Sequence, residues 1–270
     1  MGLGYTTMMY DGVALEDAFA DIGACRYDGI EIGLEKIETV GPEAVAEWLE
    51  TYGLDLYCVM GYWIESEATA KEVADKAEMI ATLDSEFLGV LPPQRHQASD
   101  AAVKSRLEIV TEAAVDAGIK PLLHHHGATH AEQSDEIRQF LDAIDGLELL
   151  WDTAHWYPYG ENFPEGDVTD GIERFINDIE YVHLKDVNPI KDFAANRDAL
   201  SHPNPHLDNV INYFRSFTDL GKGCIDFKGA YNALVNAGYD GHYTIEVENQ
   251  VSKQLVHAKE NIDYWQDTVV

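Results

Sequence analysis

The chain has 270 residues, 46% of them hydrophobic and 10% aromatic, and 18 Lys and Arg against 49 Asp and Glu leave a formal charge of −31. That apolar content suffices for a sizeable core and excludes a disordered acidic tail. The charge argues against partners that need a basic face, nucleic acid and an anionic membrane surface alike. Its acidic residues are scattered, as in Glu43, Glu47, Glu50 and Asp55, which predicts the solvated surface of a salt-adapted protein. Cys25, Cys58 and Cys224 are far apart and form no CxxC pair, as in a reducing compartment. Residues Met1 to Tyr10 carry no signal-peptide pattern and no apolar run is long enough to span a bilayer, so a cytoplasmic location is expected.

Short apolar runs predict strands at Leu3–Met9, Gly29–Ile32, Leu54–Met60, Phe87–Leu91, Ile119–His124, Leu147–Asp152, Tyr181–Lys185 and Tyr243–Val247. Helical periodicity falls between them, at Ala14–Cys25, Pro42–Tyr52, Glu67–Leu83, Ala101–Ala117, Asp135–Ile144, Thr169–Ile179 and Phe227–Ala237. Pro42 suits a first helical turn, and Gly53, Gly118 and Gly238 stand where helices should stop. Strands alternating with helices imply a parallel sheet, and at this length a closed α/β (β/α)8 TIM barrel in a single domain over 1–270 is the economical solution. A doubly wound open sheet is the runner-up, but no GxGxxG follows the first strand. The longest irregular stretch, about 188–223, contains Pro189, Pro203, Pro205 and Tyr213-Phe214 and is expected to be a lid or insertion loop.

In such a barrel the chemistry sits at the C-terminal ends of the strands. Strand five ends in His124-His125-His126, strand six in Asp152, strand seven carries His183 and Lys185, and strand eight ends in Glu246-Val247-Glu248. Alone, His183 reads as a core histidine, Asp152 as a helix cap and Glu248 as an exposed charge. Together they predict a shared divalent-metal site, and mixed imidazole and carboxylate donors suit Mn²⁺, Co²⁺, Fe²⁺ or Zn²⁺ better than Ca²⁺. Mn²⁺ or Co²⁺ is favoured, with Mg²⁺ a further possibility. Strand alternation turns His124 and His126 to one side and His125 to the other, provided the strand continues past His124. Glu132 either folds back over the site or caps the helix starting near Ser134. Lys185 shares a face with His183, so it either touches a substrate oxygen or moves a proton; the plainer reading is an ion pair with Asp186 or another carboxylate. Trp63, Trp151 and Trp156 are candidates for the pocket wall or for the core.

The strings "LLHHHGATHAE" (Leu122–Glu132), "LLWDTAH", "YVHLKDV" and the stretch from Phe217 to Gln250 resemble strand motifs of inosose dehydratases. "YDGIEIG", Tyr27 to Gly33, is similar to the second strand of the wider xylose-isomerase-like barrel superfamily. The resemblance is strong over most of the C-terminal half. It implies a metal held from strands five to eight by His124, in place of a glutamate common in the superfamily, with Asp152, His183 and Glu246, and a substrate contact for His155. His126 and Glu132 remain alternative donors from strand five. The implied activity is metal-dependent enolisation of a keto-polyol or sugar, with water lost from an inosose-like substrate. Glu246 or a neighbouring base would take the α proton, and His126, His155 or Lys185 would protonate the departing hydroxyl. A sugar or sugar-phosphate isomerase or epimerase is the alternative within enzymes; a non-catalytic sugar-binding barrel subunit is the alternative outside them. A homo-oligomer is compatible with either.

Overall fold

The computed structural model describes residues 1–11, 13–248 and 252–270, so Asn249 and Gln250 of the strand-eight motif lie outside the described residues. Along the chain run β1 (Leu3–Thr6), α1 (Leu15–Ala24), β2 (Gly29–Gly33), α2 (Leu34–Val40), α3 (Pro42–Tyr52), β3 (Asp55–Trp63), α4 (Glu67–Ala74), α5 (Ala77–Ala81) and β4 (Phe87–Leu91). There follow α6 (Asp100–Asp116), β5 (Lys120–His124), α7 (Ser134–Ala143), β6 (Glu148–Asp152), α8 (Thr153–Trp156), α9 (Thr169–Phe175) and β7 (Ile179–Leu184). The chain finishes with β8 (Asp186–Val187), α10 (Phe193–Leu200), α11 (Leu207–Phe214), β9 (Phe217–Thr218), α12 (Phe227–Asn236), β10 (His242–Ile245) and α13 (Gln254–Tyr264). Among these residues no helix is long and apolar enough to cross a membrane.

Eight of the strands close into a barrel in the order β1-β10-β7-β6-β5-β4-β3-β2, all neighbours parallel. The expected (β/α)8 architecture is therefore the observed one. Two apolar layers hold it. Outward strand residues such as Ile30, Val59, Leu123, Trp151 and Val182 pack under the helices. A smaller cluster of Tyr57, Cys58, Phe87, Leu122, Leu150 and Tyr181 fills the barrel itself. Gly29 is required there: a Cβ would lie 2.4–2.6 Å from ring atoms of Tyr57. This plug leaves the polar strand ends stacked above it.

The elements differ from the sequence reading at several places: β1 ends at Thr6 and not Met9, β10 ends at Ile245 and not Val247, and α8 and α13 lie outside the expected helices. The helix expected over 67–83 is broken at Asp75–Lys76 into α4 and α5. Helix α2 is only seven residues between Gly33 and Gly41, too short for its periodicity to stand out. The 188–223 stretch is far from irregular: β8 pairs antiparallel with β9, and α10 and α11 stand between them. Asp186 anchors its return, since its buried carboxylate accepts from the backbone N–H groups of Val187, Gly221, Gly223 and Ile225 at 2.8–3.1 Å. The plainer reading of Asp186 as a partner for Lys185 is thus corrected, because those four amides occupy its oxygens.

Candidate metal and proton-transfer site

Barrel register assembles the strand ends. Asp152 on β6 is paired directly with His183 on β7, and the Glu246 N–H bonds the Leu184 carbonyl at 3.0 Å, extending the β10–β7 ladder by one residue. The Thr153 hydroxyl ties β6 to β7 by donating to the Lys185 carbonyl at 2.7 Å and accepting the Lys185 N–H at 2.9 Å. His124, Asp152, His183, Lys185 and Glu246 are all buried. Asp152 Oδ2 lies 3.6 Å from His124 Nε2 and 3.7 Å from His183 Nδ1, and His183 Nδ1 lies 3.6 Å from Glu246 Oε2. The other oxygen of Asp152 caps α8, accepting from the N–H groups of Ala154 and His155. Helix cap and site donor are therefore one residue using different atoms.

Of those facing atoms, His124 Nε2 and His183 Nδ1 have no hydrogen-bond partner despite complete burial, while Asp152 Oδ2 and Glu246 Oε2 are met only by the Lys185 ammonium. Orphaned buried polar atoms are costly, and their convergence calls for a ligand. Their separations are close to those of donors sharing one ion at about 2.1 Å. Triads of the same region, His124–Asp152–His155 and Glu31–His183–Glu246, bring one donor atom from each residue within 4.8 Å of the others. Burial pushes the His124 imidazole down, keeping it a neutral donor. These residues could therefore hold a divalent metal.

Glu31, on β2 across the barrel, was not singled out by the sequence. Its Oε2 lies 2.7 Å from His183 Nε2, with both side chains buried. Bonding one ring nitrogen fixes the imidazole and turns Nδ1 toward Asp152 and Glu246, the arrangement typical of carboxylate-braced metal histidines. Burial alone would depress His183, but Glu31 and Glu246 outweigh it and raise the imidazole well above its usual range. The available signal was Glu31 within "YDGIEIG", a charge on an otherwise apolar strand.

Lys185 completes the centre. Its Nζ is 3.2 Å from Asp152 Oδ2 and 3.1 Å from His155 Nε2, and it contacts Glu246 Oε2 and Glu248 Oε1. Burial would lower the ammonium, yet the three carboxylates outweigh it and hold it charged, well above the usual lysine range. Glu246 would be raised by burial, but Lys185 and His183 hold it well below the usual carboxylate range. Glu248 behaves differently: burial pushes it up to about 7, helped by Glu246 and opposed by Lys185. His126 stays on the site side although β5 has already ended, with its ring 3.7 Å from that of His155 and 5.0 Å from that of Trp63. His125 turns outward, and its Nε2 accepts the Asp152 N–H at 2.9 Å.

Glu132 is not brought into this cluster, nor does it cap α7. Its Oε1 pairs with Arg95 at 2.8 Å, while Oε2 accepts from the Ala128 N–H and the Tyr159 hydroxyl. The cap belongs instead to a box formed by Gln133 and Glu136. Proximity in sequence misled because the loop after β5 turns the Glu132 side chain toward Arg95. Of the three candidate tryptophans, Trp151 and Trp156 are core residues, and Trp63, 36% exposed, stands beside His126.

The family model described as xylose isomerase-like TIM barrel matches residues 16–268. An inosose dehydratase of Klebsiella pneumoniae (strain 342) is 31% identical over 177 residues, which are 65% of this chain and 56% of that protein. One from Histophilus somni (strain 129Pt) is 25% identical over 264 residues, 91% of this chain and 83% of its own. The chain thus spans little more than half the length of the first relative. A crystal structure of 3-keto-D-glucoside 4-epimerase from E. coli matches with a TM-score of 0.75 at 15% identity, covering 99% of each chain. D-allulose 3-epimerase from Methylomonas sp. matches at 0.74 and 17% identity, over 99% of this chain and 97% of its own. At such identities the two structures share the fold.

Proposed function

Because the chain belongs to the xylose isomerase-like TIM barrel family, we propose that it is a divalent-metal-dependent lyase that removes water from a keto-polyol of the inosose type. The observation that carries this reading is the convergence of four buried donor atoms, on His124, Asp152, His183 and Glu246, each 3.6–3.7 Å from the next and the two imidazole nitrogens without a hydrogen-bond partner. These residues would hold the ion, with Mn²⁺ or Co²⁺ favoured. When bound, it supplies Lewis-acid polarisation of a substrate carbonyl and lowers the pKa of the adjacent C–H.

The chain's own groups account for the proton movements. Glu246, held well below the usual range, is a poor base and is left as a donor to the metal. Glu248, raised to about 7, is poised to take the α proton near neutral pH. Lys185, held charged, gives a proton to the departing hydroxyl, which leaves as water. The contact between Lys185 Nζ and Glu248 Oε1 then returns the captured proton to Lys185 and resets the site. His155, which accepts from Lys185, and His126, whose tilted ring lies 3.7 Å from it, line this path. Helices α10 and α11 act as the lid.

The test is metal analysis followed by mass spectrometry of products from a panel of inososes and ketoses with Mn²⁺ or Co²⁺ present. One bound ion and a product lighter by one water are expected. Bound metal with only isobaric products would replace the lyase by an isomerase or epimerase; sugar binding without metal or turnover would leave a binding subunit. The dispersed acidic surface is taken as salt adaptation, for which the unfolding temperature should rise from low to molar KCl.

A further inference from the structure

Away from the strand-end centre, the start of α13 carries a second polar arrangement. Asp219 lies just after β9, and His257 and Asn261, one turn apart on α13, meet it; all three are buried. Asp219 Oδ1 accepts from His257 Nδ1 and from Asn261 Nδ2, each at 2.7 Å, while its Oδ2 pairs with Lys222 at 2.9 Å. The Asn261 amide is held in that orientation because its Oδ1 accepts the Leu220 N–H at 2.7 Å. Burial would raise Asp219, but the bonds from His257, Lys222 and Asn261 hold it below the usual carboxylate range. On the far side of the ring, His257 Nε2 lies 3.0 Å from Ser252 Oγ and accepts the Ser252 N–H at 3.2 Å. A backbone N–H can only donate, so Nε2 presents its lone pair to Ser252 and Nδ1 carries the proton that Asp219 holds. That is the tautomer of a general base aimed at a hydroxyl.

Ser252 is exposed, so a ligand can reach its hydroxyl while the base behind it stays buried. It stands just before α13, whose N-cap Lys253 makes no side-chain hydrogen bond to the first turn. The N–H groups of Gln254 and Leu255 have no intrahelical partner, and the positive end of the helix is where a developing oxyanion would be held. We infer that Ser252 is the nucleophile of a second, hydrolytic site that takes the acyl group of a small activated ester, with His257 as its general base and Asp219 as the residue that positions His257. Ser252 Oγ attacks the ester carbonyl as its proton passes to His257 Nε2, and the alcohol departs with that proton, leaving an acyl-serine. Water then attacks the acyl carbon and gives a proton to Nε2; the carboxylic acid leaves as Ser252 Oγ takes that proton back. None of these groups belongs to the metal and proton-transfer centre, so this activity stands apart from the proposed dehydration.

The intact protein is incubated with a small fluorophosphonate, and separately with p-nitrophenyl acetate, with and without EDTA. Peptide mass spectrometry then locates the adduct, and absorbance follows nitrophenolate release. A single adduct on Ser252 is expected, formed at a rate that EDTA does not change and at least about 10²-fold faster than at exposed Ser99, whose hydroxyl caps α6 instead. Ser252→Ala keeps the N–H bonded to His257, so it should fold as the wild type yet lose both the adduct and the catalysed release. His257→Gln should slow labelling of Ser252 by about 10²- to 10⁴-fold. Melting curves check both variants, and the comparison of Ser252 with Ser99 decides the matter even where His257→Gln does not fold. No adduct at Ser252, labelling there no faster than at Ser99, or nitrophenolate release that persists in Ser252→Ala would each overturn the inference.

Discussion

Strands β1 to β4 and strands β5, β6, β7 and β10 are built alike, as short runs buried on both faces, yet their upper ends differ. The second set delivers His124, Asp152, His183 and Lys185, with Glu246 and Glu248 just beyond β10, to one buried centre. The first set contributes wall residues, Met8 and Trp63, and one buried charge, Glu31. Neighbouring strands in register can place donors side by side, as Asp152 and His183 are placed. What they cannot supply is a brace from the opposite side, and Glu31 supplies that through His183 Nε2. One half thus carries the chemistry, and the other aims it and shapes the entrance.

The largest effect should come from the donor half. Asp152→Asn keeps an oxygen to cap α8, so the fold should survive. Metal content, read by elemental analysis, should fall to background, and activity should drop by several kcal/mol of barrier, roughly a thousandfold. Retained metal would break the assignment of Asp152 Oδ2 to the centre. Next is Glu248→Gln, expected to lower kcat about 10²- to 10⁴-fold with metal content intact. In the wild-type enzyme a base at about 7 must be deprotonated to work, so activity should rise with pH through about 7, and the variant should lose that limb. Glu31→Ala probes the other half: metal affinity should weaken about 10- to 100-fold by calorimetry, with Glu31→Gln, which still accepts a hydrogen bond, closer to wild type. Equal affinity in Glu31→Ala would reduce the near half to a wall.

Smaller effects follow away from the donors. Burial pushes His125 down to about 3, so the unfolded chain takes up a proton near pH 6.5 that the folded one refuses. Stability is then complete above about 6.5 and is lost as pH falls toward about 3, with about 2 kcal/mol gone at pH 5. Thermal unfolding from pH 7.5 to pH 5 should show this slope, reduced in His125→Gln, whose amide oxygen still accepts the Asp152 N–H. Smallest is Glu132→Gln, expected to change kcat/KM less than about threefold, because hydrogen-bonded partners rather than the site surround Glu132. A large loss of activity there would return Glu132 to the chemistry.

Much of this was legible in the chain because the signals are local. Short apolar runs separated by helical repeats of 3.6 located the eight barrel strands, and the polar residue closing each C-terminal strand marked His124, Asp152, His183 and Glu246. Local pattern also misled. The 188–223 stretch reads as loop because its prolines interrupt short helices, and Glu132 reads as a site residue because it follows the histidines by only a few positions. By itself, the sequence determined the barrel, its strand ends and the donor types, since each depends on neighbours within a few residues. Only the tertiary structure decided that Glu31 meets His183 across 152 positions and that Lys185 stands among three carboxylates. Those contacts exist because β10 closes against β1, and closure is a long-range event that no local pattern records.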